Sequence, residues 1–485
     1  MRLVSAFLFL LAAAAGASAQ TPRVLTLEEA LRLAGATSEN VAIAEADVAR
    51  AEGGRLRAQS LTRPQLAGSA SYDRALASEF SGLFDSAGPP CPALDIDASR
   101  PLAERVAEIE RALDCGAVGG FSFGGDGDEG GGLPFGRKNT WRANLAFTQG
   151  LYSGGRVGAA RAVAAAGYAA AEVGVDTAKA QLALDVTRAY YDAALADRLV
   201  TIAEASHAQA NALFEQSRQL FEAGSRPEFE LLRAEVARDN QRPIVIRARS
   251  QRDIAYLRLR QLLDLPADAA LQLEAGLADP ALPPPAVFVE ALDSSTRAEA
   301  LRAGIRQAEA VVTLNEATVS LARAQKMPTV SIVSNFGQVA YPGGIFPTDW
   351  RTNWTVGASM AVSILDGGRL NADIAVAAAD LAAARARLQQ TRALSALDAE
   401  TARQELIAAE AAWQAGAGTV TQARRAYEIA ELRYREGIST QLELADSRLA
   451  LESAEANRAQ AARDVQVARA RIALLPNLPL SGGSF

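Results

Sequence analysis

The chain predicts a mainly α-helical fold of long antiparallel coiled-coil hairpins that also carries four β-strands, a β-barrel part too small to close alone. Three observations predict it. The sequence repeats at a fixed offset, two proline-free stretches keep a helical period for about 70 residues, and four segments switch their apolar period to two.

The repeat sets the domain organisation. Gly154-Gly155-Arg156 recurs as Gly367-Gly368-Arg369, Phe221-Glu222-Ala223-Gly224 as Tyr434-Arg435-Glu436-Gly437, and Leu265-Pro266 as Leu478-Pro479; 367 − 154, 437 − 224 and 479 − 266 each give 213. One architecture is therefore built twice, over residues 20–282 and 283–485, with Pro283-Pro284-Pro285 as the linker. Upstream, Ala44-Glu45-Ala46 matches Ala308-Glu309-Ala310 and Pro64 matches Pro328 at an offset of 264, so the first copy holds 264 − 213 = 51 extra residues. That insertion, about 75–138, is the least regular sequence in the chain. It carries Cys91, Cys115 and the run Gly124 to Gly132, and reads as a surface loop.

Each copy predicts one long helix, at 155–223 and 368–436. Leu182, Val186 and Tyr190, then Leu195, Leu199 and Ile202, recur at three and four, while Ile374, Leu381 and Leu388 stand seven apart. At 1.5 Å per residue each helix is about 100 Å long, a length that belongs to a coiled-coil strut. Gly224 and Gly437 end them as hairpin tips, because glycine accepts the left-handed turn that closes a helix. Return helices follow over 228–263, where Pro243 predicts a kink, and over 441–474. Shorter helices, Glu39 to Thr62 and Thr296 to Lys326, precede each strand pair.

The strands are expected near 65–73, 140–152, 329–337 and 353–365. Trp354, Val356, Ala358, Met360, Val362 and Ile364 alternate with smaller and more polar residues, as do Trp141, Ala143, Leu145 and Phe147 in the first copy. Each run matches the 9–11 residues, roughly, that a tilted strand needs to cross a bilayer, and Trp141, Tyr152, Tyr341, Trp350 and Trp354 lie near strand ends, where aromatic girdles form. The glycine pairs Gly154, Gly155 and Gly367, Gly368 read as strand-to-helix turns. Four strands leave open edges that lipid cannot satisfy, so the chain is expected to form a homotrimer whose barrel has twelve strands.

The remaining signals bound the class. Arg2, the apolar run Leu3 to Ala15 and Ala17-Ser18-Ala19 predict a signal peptide over 1–19. A formal net charge of −7 argues against nucleic acid as a partner. In the oxidising compartment beyond the inner membrane, the two cysteines predict a Cys91–Cys115 disulfide. His207, the one histidine, sits inside a long helix without metal-ligand spacing around it, and no catalytic, cofactor-binding or metal constellation emerges.

The order of helix, strand pair, long helix, glycine tip and return helix, twice over, resembles the TolC-type outer-membrane efflux proteins. The marks that carry the resemblance are Leu-Tyr-Ser-Gly-Gly-Arg at 151–156, Leu-Asp-Gly-Gly-Arg at 365–369 and the run from Tyr434 to Asp446. It implies a trimeric channel-tunnel in the outer membrane of a Gram-negative bacterium, extending through the periplasm to a periplasmic adaptor (membrane fusion protein) and an inner-membrane pump of RND or ABC type. By the same resemblance, Glu443 and Asp446 form a selectivity ring, Glu230 and Tyr434 are gating contacts, and the tips Gly224 and Gly437 dock the adaptor. Ser439 stands where better-known members carry an arginine, which removes one charged latch. The competing expectation is a periplasm-spanning structural coiled coil without transport.

Overall fold

The computed structural model describes residues 23–77, 92–115, 139–277, 280–294, 302–342, 345–347 and 349–480. The expected signal peptide, Cys91 and the run Gly124 to Gly132 lie outside the described residues. The Cys91–Cys115 pairing lies outside them with Cys91, while Cys115 is disulfide-bonded.

The first half of the chain forms β1 (Arg23–Leu25), α1 (Leu27–Thr37), α2 (Glu39–Ser60), β2 (Gln65–Arg74), α3 (Leu102–Asp114), β3 (Asn139–Tyr152), α4 (Arg156–Glu222), α5 (Glu228–Leu262) and β4 (Leu271–Leu273). A 3₁₀ turn at Ala286–Phe288 leads into α6 (Val289–Ser294), α7 (Ala303–Ala324), β5 (Thr329–Ala340), β6 (Trp350–Ala361), α8 (Arg369–Arg435) and α9 (Gln441–Leu474). They divide into two compact units, one drawn from 1–58, 158–322 and 371–485, the other from 59–157 and 323–370.

In the first unit α4 and α8 are each 67 residues long, and α5 and α9 return over 35 and 34. α5 runs unbroken through Pro243. Alanine occupies much of the buried face, including Ala180, Ala193, Ala203 and Ala210 on α4 and Ala462 and Ala470 on α9, so helix axes can approach closely without loss of helix propensity. The largest core cluster joins Leu25, Leu27, Ala30, Leu184, Tyr190, Tyr191, Tyr256, Leu259, Leu263 and Phe288. Tyr190 is 1% exposed, and its hydroxyl donates to the Leu25 carbonyl at 3.0 Å, satisfying the one polar atom it buries. α1 and the parallel β1–β4 pair belong to this cluster and had no signal in the apolar periodicity.

Repeat-related positions differ in charge. Since 410 − 213 = 197 and 469 − 213 = 256, Asp197 and Tyr256 correspond to Glu410 and Arg469. Tyr256 donates its hydroxyl to Asp197 at 2.6 Å, whereas Arg469 forms a 2.9 Å ion pair with Glu410 and donates to the linker carbonyl of Leu282 at 2.7 Å. Burial pushes the Asp197 carboxyl above its ordinary value, against the lowering effect of the Tyr256 hydrogen bond and of Arg252.

The second unit is an antiparallel sheet of order β2-β3-β5-β6, with Gln65 opposite Thr148, Trp141 opposite Ala340 and Thr329 opposite Ala361. Both outer strands, β2 and β6, are exposed along their whole length. The last strand spans Trp350–Ala361 instead of the expected 353–365. Val362 and Ile364 continue the alternation, but β5 begins at Thr329 opposite Ala361 and offers them no ladder partner. The insertion is likewise more regular than its composition suggests, because α3 forms within it.

The glycine pairs do the work of strand-to-helix turns in this unit. Gly154 and Gly155 have φ of +61° and +88°, Gly367 and Gly368 of +65° and +88°. Asp366 then caps α8, accepting from the backbone N–H of Gly368 at 3.0 Å and of Leu370 at 3.1 Å, and these bonds hold its carboxyl below the usual range. At the corresponding turn Arg156 donates to the carbonyls of Ala324, Gln325 and Met327, closing the end of α7. No helix among the described residues is long and apolar enough to cross a membrane.

Candidate functional site

The expected gating and selectivity residues cluster at the two hairpin tips. At the first, Gly224 has φ of +70°, and Ser225 returns its N–H to the Leu220 carbonyl at 2.8 Å. At the second, Gly437 has φ of +73°, and Ile438 returns to the Arg433 carbonyl at 2.8 Å. Both are Schellman closures, which only a residue tolerant of left-handed backbone makes cheaply. The next helices start differently: Thr440 caps α9 by accepting from the Glu443 N–H at 3.4 Å, while α5 starts behind Pro227 with no side-chain cap.

One arginine joins the tips. Arg226, two residues past Gly224, pairs with Glu230 at 3.2 Å, and its guanidinium lies over the Tyr434 ring, 5.6 Å from the centroid. A β-carbon placed on Gly437 would stand 3.8 Å from its Nη2. Tyr434 is 3% exposed and packs with Ala430, Leu444, Leu213 and Tyr427, its hydroxyl 3.5 Å from Ser217 Oγ. Within the chain Arg226 thus stands between the two expected gating residues, Glu230 and Tyr434. An i,i+4 pair on α5's first turn satisfies Glu230 more readily than a phenol on another helix.

The sequence reading gave Arg226 no contact across the hairpins, yet the repeat marked it, because 439 − 213 = 226 and the arginine missing at Ser439 stands at the matching place of the first tip. Ser439 itself is 8% exposed, with its hydroxyl unpartnered. Gln441, 5% exposed, also has both amide atoms unpartnered, and Glu230 leaves Oε2 so. Beside them Tyr434, Gln441, Arg233 and Arg448 line a cavity of about 150 Å³ between the hairpins. Burial lowers the pKa of Arg448, which donates to the Ser206 carbonyl at 3.0 Å.

The two carboxylates of the expected ring differ. Glu443 forms a 2.9 Å ion pair with Arg433 and is 43% exposed. Asp446, one turn on, is exposed and has no ion pair or hydrogen bond among the described residues. Chemically the tips offer a cation–π contact across two hairpins, a set of polar atoms buried without partners, and an exposed acid, Asp446, that no cation neutralises among the described residues.

A profile of the family described as Outer membrane efflux protein matches residues 121–264 and 295–477. Nodulation protein T of Rhizobium leguminosarum bv. viciae is 26% identical over 325 residues, covering 64% of this chain and 63% of that protein, so the match spans less than two thirds of the relative's length. The outer membrane protein VceC of Vibrio cholerae superposes with a TM-score of 0.67 at 18% identity over 93% of this chain and 96% of that one. A membrane protein of Pseudomonas aeruginosa gives 0.70 at 18% identity over 94% and 92%. The MtrE outer membrane channel of Neisseria gonorrhoeae, in its open state, gives 0.66 at 19% identity over 94% and 91%. At these identities the structural likeness concerns the fold.

Proposed function

Because the chain belongs to the outer membrane efflux protein family, we propose that it is the exit duct of a tripartite export machine. Three copies assemble, β6 of one protomer pairing with β2 of its partner, to close a twelve-stranded barrel in the outer membrane of a Gram-negative bacterium. The hairpins continue as a tunnel through the periplasm. An adaptor docks at the tips around Gly224 and Gly437, and an RND or ABC pump in the inner membrane loads the substrate.

The observation that carries this reading is the open sheet. Among the described residues both outer strands lack a partner on one edge along their full length, which lipid penalises by several kcal/mol per group, roughly, and which a homotypic ring removes. In the same reading, threefold symmetry gathers Glu443 and Asp446 at the periplasmic constriction and favours cations, while Arg226, Tyr434 and Glu230 hold it shut. A solid periplasmic strut would leave the exposed sheet edges without purpose.

The test is the mass of the detergent-extracted protein together with its conductance in planar bilayers. A trimer that conducts is expected. A stable monomer with native helix and strand content, silent in bilayers, would overturn the proposal.

A further inference from the structure

Helix α3 leaves one apolar face uncovered. Leu102 is 69% exposed, Val106 45%, Ile109 36% and Leu113 54%. Their spacing of four, three and four places them at successive d and a positions of a heptad, the pattern by which parallel helices interlock. In that register Arg105 falls at g and Glu110 at the following e, the two positions that meet across a parallel seam. Neither side chain has an ion pair or hydrogen bond among the described residues, and Arg105 Nε is buried without a partner.

The opposite side of the helix is committed. Arg111 donates to Glu108 at 2.7 Å and to the Pro92 carbonyl at 3.2 Å, and Ala112 between them and the cysteine is fully buried. The apolar stripe and the Arg105 and Glu110 side chains therefore have no partner among the described residues.

We propose that the partner is the same helix in the other copies of this chain. In the assembly three α3 helices cluster in parallel, the Leu102, Val106, Ile109 and Leu113 stripes facing inward and Arg105 of one protomer meeting Glu110 of its partner. The inference rests on the trimeric reading above. Symmetry then makes the parallel arrangement automatic, since α3 bridges Arg74 and Asn139, which pair at one end of each sheet. A helix of 13 residues associates weakly alone, but tethering three copies to one barrel raises their mutual concentration to about the millimolar range. Charge disfavours a membrane as the occupant: α3 carries Glu104, Glu108, Glu110 and Asp114 against Arg105 and Arg111, whereas helices that lie on anionic lipid carry a basic excess.

Cysteine cross-linking of the full-length, detergent-extracted protein tests this, with mass measured on the same sample. Cys115 is disulfide-bonded and so does not compete. Under mild oxidation Ile109→Cys, in the seam, should form two-chain species about tenfold or more faster than Ala107→Cys, which points away from it. Arg105→Glu should slow the Ile109→Cys reaction, and adding Glu110→Arg should restore it. Equal rates for the two cysteines in a protein of trimeric mass would overturn this inference and leave the trimer standing. Protection of Ile109→Cys by anionic lipid vesicles, without cross-linking, would overturn it in favour of the membrane, and a monomeric mass would remove both readings together.

Discussion

Replacing Arg226 with alanine should loosen the contact between the tips far more than removing the hydroxyl of Tyr434. Arg226 makes two interactions, and only one crosses from hairpin to hairpin. Its ion pair with Glu230 lies within the first tip, at 25% exposure for both side chains, so it survives any separation of the tips and does not bias opening. The cation–π contact with Tyr434 breaks on separation; at a part-buried site it contributes about 1 kcal/mol, and up to about 2 where the ring is as enclosed as this one. Losing it should raise the open-to-closed ratio of each protomer about 5- to 30-fold. Tyr434→Phe keeps the ring, and hence that contact, and gives up a hydroxyl that is 3.5 Å from Ser217, the outer limit of a hydrogen bond. Single-channel recording in planar bilayers reads both variants. Arg226→Ala should spend markedly more time open, Tyr434→Leu should imitate it, and Tyr434→Phe should stay near the parent. Parental behaviour of Arg226→Ala with opening by Tyr434→Phe would refute this role of Arg226 and restore the phenol as the latch.

Three further outcomes follow from the same geometry. Asp446→Asn should reduce cation preference, read as the reversal potential in a salt gradient, more than Glu443→Gln does, since Arg433 already neutralises Glu443; equal effects would show that the ion pair does not persist. The raised Asp197 pKa means that the folded state binds the proton more tightly than the unfolded one, so its cost to stability is relieved in acid and fully present above the folded pKa. Asp197→Asn keeps an acceptor for Tyr256, and should raise the thermal midpoint at about pH 8 while leaving it little changed at about pH 4, so an unaltered midpoint at the higher pH would count against the burial argument. Gly154→Ala places a β-carbon 2.4 Å from Met327 Cβ, whereas Gly367→Ala meets nothing within 4 Å and bears only a left-handed backbone cost of about 1–2 kcal/mol. Thermal unfolding should therefore show a much larger loss for Gly154→Ala, and equal losses would mean that the turn relaxes freely.

Much of this was legible because it is written in long periods. Struts of 67 residues repeat their apolar pattern many times over, and an offset of 213 that holds across glycine pairs and tips leaves little room for chance. Short elements escaped for the complementary reason. β1 and β4 have three residues each, too few for any period, and they are strands only because they pair with each other across most of the first repeat. In the insertion, the heptad Leu102, Val106, Ile109, Leu113 was present in the sequence but surrounded by glycine, proline and serine, which dominate any averaged reading. The tip cluster was half legible. Tyr434 and Glu230 could be named from resemblance, but the guanidinium between them is a tertiary fact, set by how the two hairpins approach.

The sheet's strand order has a consequence for how the chain reaches its native state. β5 and β6 are joined by a short connection, with Ala340 opposite Trp350, but β3 and β5 are neighbours although the whole first hairpin, 177 positions from Tyr152 to Thr329, separates them. Closing that span from a random coil costs about 2.5 kcal/mol more entropy than closing the ten-position link, taking (3/2)RT ln of the length ratio. Helical hairpins form from local contacts and so form fast, and once α4 and α5 are in place the effective span collapses. Folding is therefore expected to be ordered, the helical hairpins condensing first and the four strands meeting last. Such an order keeps the four strands apart until the scaffold that aligns them exists, which shortens the time in which their unpaired edges are exposed to aggregation.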